Sequence, residues 1–575
     1  MEELKLEKKT TVETLMITGA EAVVKCLLEE GIDIIFGYPG GAIMPVYDAM
    51  YDYQKELKHV LTRHEQGAIH AAQGYARSSG KVGVCIATSG PGATNLITGI
   101  ADAQIDSTPL VCITGQVHSH LLGTDAFQET DVVGISMPVT KWNCQVTKAE
   151  DIPAALAKAF FIARSGRPGP VLVDITKDAQ FGKFDFSYNK CEQVRSYIAK
   201  PKLDLEKVKQ AAELINNAKK PLVVFGQGVI LAKAEKEFKA FIEKAGLPAA
   251  WTIMGLSALP SNHRLNVGML GMHGNYAPNV LTNECDVLIA IGMRFDDRVT
   301  GNLSKYAKQA KVVHLDIDPS EIDKNVKTDV AVIADCKESL VELTKIVHNK
   351  NHENWLKKFN ELAEIEYQKV INIETNPNSL ELTMGEVVAR INEITNGESI
   401  VVTDVGQHQM IACRYAAFNQ TKSMITSGGL GTMGFCLPAA IGAKFGAPNR
   451  QVIAVIGDGG FQMTIQELGT IFQTKLDVKI LILNNQFLGM VRQWQDLFFD
   501  KRYSATEMVN PDFQLIAKGY GIEANKVSNR ENLISSLNTM LNHKGSYLLE
   551  VMVGKENNVF PMVETGASVS DIRLN

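Results

Sequence analysis

Residues 457–489 read GDGGFQMTIQELGTIFQTKLDVKILILNNQFLG, and the pattern of this stretch predicts the fold. The preceding run VIAVIG is apolar and β-branched, which is typical of a buried strand, and TIQELGTIFQ has the apolar spacing of a helix. KILIL then predicts a second buried strand. A strand, a helix and a strand of this length form a right-handed crossover, so both strands end at one edge of a parallel sheet.

Polar side chains follow both predicted strands. Asp458 comes after the first strand and Asn485 after the second, so we expect them side by side at the edge where α/β sheets bind ligands. With the carbonyl of Phe487 they would form an oxygen-only set, which suits Mg²⁺ better than zinc. Three glycines would let the backbone approach a phosphate closely: Gly457, Gly459 and Gly460.

These residue types are also ordinary in turns, so a tight turn and a strand end are the alternative interpretation. The spacing decides between the two. GDG is followed after 24 residues by NN, and this resembles the signature of thiamine-diphosphate enzymes. A cofactor site is therefore favoured.

Composition places the chain among ordinary globular proteins. Of its 575 residues 45% are hydrophobic and 21% charged, and the net charge is −6. The sequence has no basic stripe of the kind that would indicate a nucleic-acid partner, and it has no apolar run as long as a membrane span. The start, MEELKLEKKTTVE, has neither signal-peptide nor transit-peptide character. The nine dispersed cysteines form no CxxC pair, which predicts reduced thiols in a cytoplasmic protein without zinc.

Alternating strand and helix patterns predict an α/β protein with three doubly wound parallel-sheet domains. The first, residues 1–190, includes IIFGYPG and VGVCIATSGPG, and a linker begins near Phe186. The second, residues 200–345, includes PLVVFGQG, DVLIAIG and KVVHLDIDP. A polar helical connector near residues 352–370 precedes the third, residues 376–575, which holds the opening stretch and ends in an irregular tail.

Further segments extend the likeness along residues 15–565. In chain order they are FGYPGGAIMPVYDA, RHEQGAIHAAQGYAR, SGPGATN, AFQETD, RPGPVLVDI, GMHG, RFDDRVTG, TDVGQHQM, GLGTMG and MVRQWQ. Together they resemble the large catalytic subunits of acetohydroxyacid synthases, also called acetolactate synthases, within the thiamine-diphosphate enzymes. Several motifs in one order are far more specific than any single motif.

By this resemblance the first domain supplies an acid and residues that face the active site. Glu65 would share a proton with the pyrimidine ring of the cofactor and so activate it, which requires a poorly solvated carboxyl group. Phe127 and Gln128 of AFQETD and Lys177 of DITKD would face the substrate. Without the resemblance, Glu65 would be an exposed acid at a helix start and Lys177 a solvated charge.

In the third domain the resemblance assigns the remaining contacts with thiamine diphosphate. The carbonyl of Gly431 would accept a hydrogen bond from the cofactor's amino group, and Met433 would separate its two rings, although a Met near glycines is commonly core filler. Gln407 and His408 would bind the diphosphate. On the predicted helix of MVRQWQ three side chains would line the acceptor pocket, unless they form an ordinary buried helix face: Met490, Val491 and Trp494.

The central domain contains no thiamine motif, and its segments resemble the flavin-binding segments of the biosynthetic enzymes. Glycines at strand ends would admit a diphosphate, Arg294 would pair with it, and Asp316 or Asp318 would bind ribose or adenine. A degenerate nucleotide-binding spacer is the alternative, but RFDDRVTG favours FAD. The implied FAD contacts are Gly226, Gly228, Gly271, Met272, His273, Arg294, Asp296, Arg298, Asp316 and Asp318.

The resemblance implies an enzyme with thiamine diphosphate, Mg²⁺ and FAD that serves valine, leucine and isoleucine biosynthesis. It would decarboxylate pyruvate and pass the two-carbon unit to a second pyruvate or to 2-ketobutyrate, giving 2-acetolactate or 2-aceto-2-hydroxybutyrate. A pyruvate-oxidase-like flavoenzyme is disfavoured by QWQ and RFDDRVTG, and a glyoxylate carboligase by Glu65. A non-catalytic flavoprotein is disfavoured by the intact set of Glu65, Asp458 and Asn485.

The resemblance also implies a homodimer or tetramer, in which the first domain of one chain and the third domain of another share a site. A small regulatory subunit is a further implied partner. Two positions depart from the family pattern, since Thr176 and Glu564 stand where proline is usual. Thr176 stands in the predicted turn before Lys177, and Glu564 stands in the tail segment that the resemblance implies as a substrate lid.

Overall fold

The structure is a computed structural model that describes residues 15–575. The first fourteen residues of the predicted first domain, including the whole N-terminal stretch considered above, lie outside the described residues. Three six-stranded sheets follow one another along the chain, and every neighbouring pair of strands within them is parallel. The predicted fold class is confirmed.

The first sheet has the strand order β3-β2-β4-β5-β7-β6, and β1 pairs with β8 in a separate antiparallel ribbon. Its central strands are buried along their whole length, as parallel strands covered by helices on both faces are. The elements are β1 Leu15–Thr18, α1 Gly19–Glu29, β2 Ile34–Gly37, α2 Met44–Met50, β3 Lys58–Leu61, α3 Glu65–Ser79, β4 Gly83–Ala87, α4 Pro91–Thr94, α5 Ile97–Ile105, β5 Leu110–Gln116, α6 Val132–Ser136, β6 Trp142–Val146, α7 Ile152–Arg164, β7 Pro170–Thr176, α8 Lys177–Phe181 and β8 Lys183–Phe186.

The second sheet has the order β11-β10-β9-β12-β13-β14. Successive strands are added on one side of β9 up to β11 and on its other side from β12, so the strand order reverses between β9 and β12. A crevice at such a switch point is where open α/β sheets bind ligands. The elements are α9 Leu205–Asn217, β9 Pro221–Phe225, α10 Gly228–Leu231, α11 Glu235–Ala245, β10 Ala249–Trp251, β11 Asn266–Met269, α12 Tyr276–Thr282, β12 Val287–Ile291, α13 Asp297–Thr300, β13 Lys311–Asp316, β14 Val330–Ile333 and α14 Cys336–Ile346, followed by the connecting helices α15 Glu353–Glu366 and α16 Asn372–Thr375.

The third sheet has the order β16-β15-β17-β18-β20-β19, and its strands β17 and β18 are the two expected from the opening stretch. The elements are α17 Met384–Thr395, β15 Ile400–Thr403, α18 Gln407–Tyr415, β16 Met424–Ile425, α19 Cys436–Gly446, β17 Val452–Gly457, α20 Asp458–Met463, α21 Leu468–Thr474, β18 Lys479–Asn484, α22 Gly489–Phe498, α23 Phe513–Gly519, β19 Glu523–Val527, α24 Leu533–Asn542 and β20 Tyr547–Met552. Between β17 and β18 the helix begins at Asp458 and breaks near Thr464, so it is two short helices rather than the single helix expected from Thr464.

Buried contacts join the domains within the chain. Helices α3 and α19 touch backbone to backbone, because a side chain at Gly442 would lie 1.7 Å from the carbonyl oxygen of Ala71. Arg414 of α18 is fully buried, pairs with Glu366 of the connector, and donates to the carbonyl of Gly274 in the second domain at 2.9 Å. The tail after β20 returns to the second domain, where the Val563 amide donates to the Met272 carbonyl at 2.8 Å.

No helix within residues 15–575 combines the length and the apolar character needed to cross a membrane. All nine cysteines carry free thiols. The two closest sulfurs belong to Cys85 and Cys112 on adjacent strands, 3.4 Å apart.

Candidate active site

The ends of β17 and β18 bring the predicted metal residues to one small cavity of about 40 Å³. Gly457 pairs with Leu483 across the two strands, so Asp458 and Asn485 lie at the same sheet edge. Their cavity is formed by third-domain residues alone: Met384, Val405, Gly406, Gln407, His408, Met433, Gly457, Asp458, Gly459, Gly460, Leu483, Asn485, Phe487, Leu488, Gly489, Met490 and Val491.

Hydrogen bonds fix the oxygens of this small cavity. Asn485 Nδ2 donates to Gln407 Oε1 at 3.2 Å, and the Phe487 amide donates to Asn485 Oδ1 at 3.2 Å. Asn510 Nδ2 donates to Asp458 Oδ2 at 2.7 Å and thereby orients the carboxylate. Sequence reasoning missed Asn510, because it lies in an irregular segment 52 residues beyond Asp458.

The glycines of the small cavity are required by close packing. A side chain at Gly457 would lie 2.9 Å from the His408 ring, and one at Gly460 would lie 1.6 Å from Asp404 Oδ2. Any Cβ there would collide with a buried side chain. The bare backbone therefore lines the cavity, which is the arrangement that lets a phosphate approach closely.

The small cavity has the polar atoms that a metal-bound diphosphate would need. His408 is buried and its Nε2 has no hydrogen-bond partner within residues 15–575, while burial lowers the pKa of its ring to about 3 and keeps it neutral. Burial raises the pKa of Asp458 to about 6, so a bound cation would favour its charged form. Residues 15–575 contain no group of three or more His, Cys, Asp or Glu placed for a metal, so one carboxylate with amide and carbonyl oxygens fits Mg²⁺ rather than zinc.

A glycine-rich loop, residues 427–433, borders this cavity and is held by the first domain. Asp106 accepts the amides of Gly428 and Gly429 at 2.8 and 2.7 Å and pairs with Arg77 at 2.8 Å. Asp102 accepts from the hydroxyl of Thr432 at 3.2 Å. These two buried carboxylates, which sequence reasoning also missed, fix the loop that carries Gly431 and Met433.

A large cavity of about 920 Å³ lies on the other side of that loop, in the size range of cofactor sites. Nine of the ten residues with implied FAD contacts line it: Gly226, Gly228, Gly271, Met272, His273, Arg294, Asp296, Arg298 and Asp316. The tenth, Asp318, does not line it, and its carboxylate lies 3.3 Å from the guanidinium of Arg167. Arg167, from the first domain, lines the cavity itself.

The polar groups of the large cavity suit a nucleotide cofactor. Asp316 ends strand β13, and burial raises its pKa to about 7. Arg294 lies 3.6 Å from Asp296, which caps α13 by accepting the amides of Arg298 and Val299. His273 Nδ1 is buried without a partner in the described chain. These groups fit the ribose, phosphates and ring edges of a dinucleotide.

Glycines at the large cavity also have a packing role. A side chain at Gly226 would lie 2.6 Å from the carbonyl oxygen of Gly292, and one at Gly228 would lie 2.5 Å from the Cα of Gly292. The turns after β9 and β12 therefore press together. Gly271 has φ +127°, a conformation that favours glycine.

Helix α22 lies between the two cavities. Met490 lines both of them, Trp494 lines the large cavity, and Val491 lines the small one, where 48% of its surface is exposed. The rings of Trp494 and Phe498 lie 5.0 Å apart. The three predicted acceptor-pocket residues are thus together on one helix, but they face two adjoining cavities.

The predicted first-domain residues form a separate group. Glu65 begins α3 and is only 9% exposed, and its Oε2 accepts from Asn95 Nδ2 at 3.0 Å. Gln128 has φ +60° and packs on Gly90, whereas the side chain of Phe127 is 88% exposed. Lys177 begins α8 and is partly buried. None of these four lines either cavity of the single chain.

The structure shows the surroundings of Thr176 and Glu564, the two residues that depart from the family pattern. Thr176 is buried at the end of β7 and precedes α8. Glu564 pairs with Arg573 at 2.8 Å on the surface of the tail.

This fold and these two cavities define a class of cofactor-dependent α/β enzyme. The chain matches the thiamine pyrophosphate enzyme N-terminal TPP-binding domain over residues 17–135, the central domain over residues 208–343, and the C-terminal TPP-binding domain over residues 404–551. The expected dependence on thiamine diphosphate is confirmed.

Relatives define the family within that class. The acetolactate synthase large subunit of Lactococcus lactis is 43% identical over 98% of this chain and 96% of its own. The Corynebacterium glutamicum large subunit is 46% identical over 97% and 90%, and the isozyme 2 large subunit of Escherichia coli is 45% identical over 97% and 99%. The chain belongs to the acetolactate synthase large-subunit family. The expected enzyme class is confirmed, and the pyruvate-oxidase-like and non-catalytic alternatives are not favoured.

Proposed function

We propose that the working enzyme is a homodimer in which Glu65 of one chain completes the small cavity of the other. The observation that carries this proposal is the division of the site. Asp458, Asn485 and His408 form a cavity made by the third domain alone, and Glu65 lies outside it with a buried carboxylate. The ring of Phe127, the residue before Gln128, is 88% exposed and would supply apolar surface for a partner chain.

Each residue then has a defined task in acetolactate synthesis. Asp458, Asn485 and the Phe487 carbonyl would hold Mg²⁺, and Gln407 and His408 would bind the diphosphate. Glu65 would keep a proton at the pyrimidine ring, and Gly431 and Met433 would fix the angle between the two rings. Thiamine diphosphate, when bound, supplies the carbon centre that stabilises negative charge during decarboxylation of pyruvate and carboligation.

Substrate specificity would come from α22 and the first domain. Met490, Val491 and Trp494 would shape the space for the second 2-keto acid, pyruvate or 2-ketobutyrate. Phe127, Gln128 and Lys177 of the partner subunit would close that space and exclude water, which protects a carbon nucleophile from early protonation.

The large cavity would hold FAD without net redox work, because carboligation transfers no electrons. Its support is the agreement between the nine lining residues and the expected flavin contacts. Purified protein should therefore be yellow and should lose acetolactate formation when FAD is removed. Full activity of colourless protein without FAD, or flavin reduction during each turnover, would contradict this role.

One assay separates the synthase from an oxidase. Protein incubated with pyruvate, thiamine diphosphate, Mg²⁺ and FAD should form acetolactate and CO₂. Acetyl phosphate or peroxide as the main product would indicate the oxidase instead.

Replacement of Asp458 tests the metal site. Among the residues that the structure describes, Asp458 is the only one that lines the small cavity with a carboxylate, so Asp458→Ala should weaken retention of Mg²⁺ and thiamine diphosphate. Equilibrium dialysis of both ligands measures this, with Glu523→Gln, an exposed third-domain acid, as the control. Unchanged retention by a folded Asp458→Ala variant would reject the assignment.

The relatives above are named as large subunits, so we also propose a small regulatory subunit as a partner. The free thiols of all nine cysteines fit a reducing, cytoplasmic setting.

A further inference from the structure

A third cavity lies where the three domains meet, and we call it the junction cavity. It encloses about 480 Å³, and its lining residues fall within 30–32, 76–82, 108–109 and 160–168 of the first domain, 227–233 and 253–254 of the second, and 422–426 of the third. Its charged lining consists of five cations and one carboxylate: Arg77, Lys81, Arg164, Lys233, Lys422 and Glu30.

Three of these cations are already paired. Arg77 lies 2.8 Å from Asp106, Arg164 lies 2.5 Å from Glu30, and Lys81 lies 3.0 Å from Asp33. Lys233 and Lys422 make no ion pair with any side chain of residues 15–575. The junction cavity therefore carries two lysines without an ion pair in the described chain, and the one carboxylate that acts favourably on Lys422, that of Glu235, lies outside the cavity lining.

The ammonium of Lys422 is held inside the cavity wall. It lies directly over Gly80, since a Cβ at Gly80 would be 2.4 Å from Nζ. It donates to the Ser79 carbonyl at 3.4 Å, which uses one of its three N–H donors. Burial, and then the charge of Lys233, lowers the pKa of Lys422, so an anion between the two lysines would relieve an existing repulsion.

The backbone at both lysines is strained. Lys233 has φ +52° and Lys422 has φ +56°, which lie in the left-handed region that is unfavourable for a residue with a Cβ. Glycine or asparagine would relieve the strain but would remove the ammonium group. Lys233 and Lys422 therefore place an ammonium group at positions whose backbone conformation is unfavourable for lysine.

The rest of the lining is largely apolar and includes Phe160, Ile230, Ile253 and Met424. We propose that the junction cavity binds a small organic phosphate, with its phosphate between Lys233 and Lys422 and its apolar body on these side chains. Two unpaired lysines match a dianion better than a monocarboxylate, and lysine binds phosphate as a point charge.

This site is distinct from the flavin position proposed above. The junction cavity and the large cavity share a wall that includes Gln227, Ile253 and Met254, but Lys233 and Lys422 line the junction cavity alone. The two ligands would be neighbours rather than competitors.

The test uses the full protein saturated with thiamine diphosphate, Mg²⁺ and FAD in phosphate-free buffer. Phenyl phosphate is titrated calorimetrically, with benzoate, inorganic phosphate and phenol as comparison probes. We expect one saturable phenyl phosphate site per chain, and weaker binding of the other three probes.

Variants locate the site. Lys422→Met and Lys233→Met should each weaken phenyl phosphate binding about tenfold or more, as expected for the loss of a charge-assisted hydrogen bond. Lys81→Met is the matched control, because its ammonium is already paired with Asp33, and it should change binding less than about threefold. Circular dichroism and thermal midpoints verify that each variant is folded.

Several outcomes would overturn the proposal. They are the absence of saturable phenyl phosphate binding, wild-type affinity in either lysine variant, and equal or tighter binding of benzoate. Phenyl phosphate binding that occurs in protein depleted of FAD but not in the FAD-saturated protein would place the probe in the large cavity and would likewise reject the junction site.

Discussion

Glu65 occupies the first position of a helix, yet its carboxylate is buried and faces Asn95 rather than water. A glutamine at this position would keep the shape and could still accept the hydrogen bond from Asn95 Nδ2. It could not share a carboxyl proton with a ligand. The substitution therefore separates packing from proton chemistry.

Glu65→Gln should lower acetolactate formation by about 10²-fold or more, the usual contribution of a positioned acid or base. Binding of thiamine diphosphate should change little, because the metal residues are untouched. Steady-state turnover and equilibrium dialysis measure the two effects, and Glu56→Gln, an exposed acid of the same domain, is the control. Full turnover by the purified variant would remove Glu65 from the mechanism.

Trp494 presents a large flat surface to the large cavity beside Met490. Contact with the extra methylene of 2-ketobutyrate would favour that acceptor by about 1–3 kcal/mol. Trp494→Leu should therefore lower the preference for 2-ketobutyrate over pyruvate while acetolactate formation continues. Competition between the two acceptors, measured as the product ratio, tests this, and an unchanged ratio would make Trp494 a packing residue only.

At the scale of the elements, helices α3 and α19 join the first and third domains through their backbones. Side chains at Gly74 and Gly442 would lie 1.9 and 1.7 Å from the carbonyl oxygens of Ala439 and Ala71. Neither carbonyl can move without disturbing a helix. This contact sets the distance between the domains.

Gly442→Ala should destabilise the protein by about 1–3 kcal/mol, the usual cost of overpacking a core. The thermal midpoint should fall by several degrees. Gly519→Ala is the control, because a Cβ at Gly519 would meet nothing within 4 Å. Equal midpoints for Gly442→Ala and the wild type would show that the helices separate without cost.

Element patterns predicted the fold because most strands of these sheets are continuous apolar runs. VIAVIG, KILIL and PLVVF became β17, β18 and β9. Strands β10 and β16 were not predicted, since three and two residues carry no usable periodicity. The single helix expected from Thr464 is replaced by two short ones, because the backbone at Thr464, with φ −134°, ends the helix that began at Asp458 and α21 begins only at Leu468.

The candidate site was predictable where its residues stand in short motifs. Asp458, Asn485, Gln407 and His408 were found in this way and line one cavity. Asn510 and Asp106 were not found, because their partners are distant in the chain. Asp106 binds the amide of Gly428, 322 residues further on, and only the packing of α5 against the 427–433 loop creates that contact.

At the scale of the whole molecule, the proposed dimer predicts complementation between two inactive chains. A Glu65→Gln chain and an Asp458→Ala chain can share one intact site in a heterodimer, since each supplies what the other lacks. A refolded equimolar mixture should regain roughly a quarter of wild-type activity if subunits pair at random.

Each variant refolded alone is the control and should stay inactive. Activity of the mixture no higher than that of the separate variants would place both residues in the same chain's site. Native mass spectrometry of chains that carry different tags would verify that heterodimers formed.

Met490 touches both the small and the large cavity, so only one side chain thickness separates their contents at that point. A flavin in the large cavity would therefore sense a change of charge or shape in the small one through a polarizable thioether. The visible absorption spectrum of the flavin would then shift when a ligand enters the small cavity. Absorption spectroscopy would therefore follow the occupancy of the catalytic site, although the flavin accepts no electrons in the reaction.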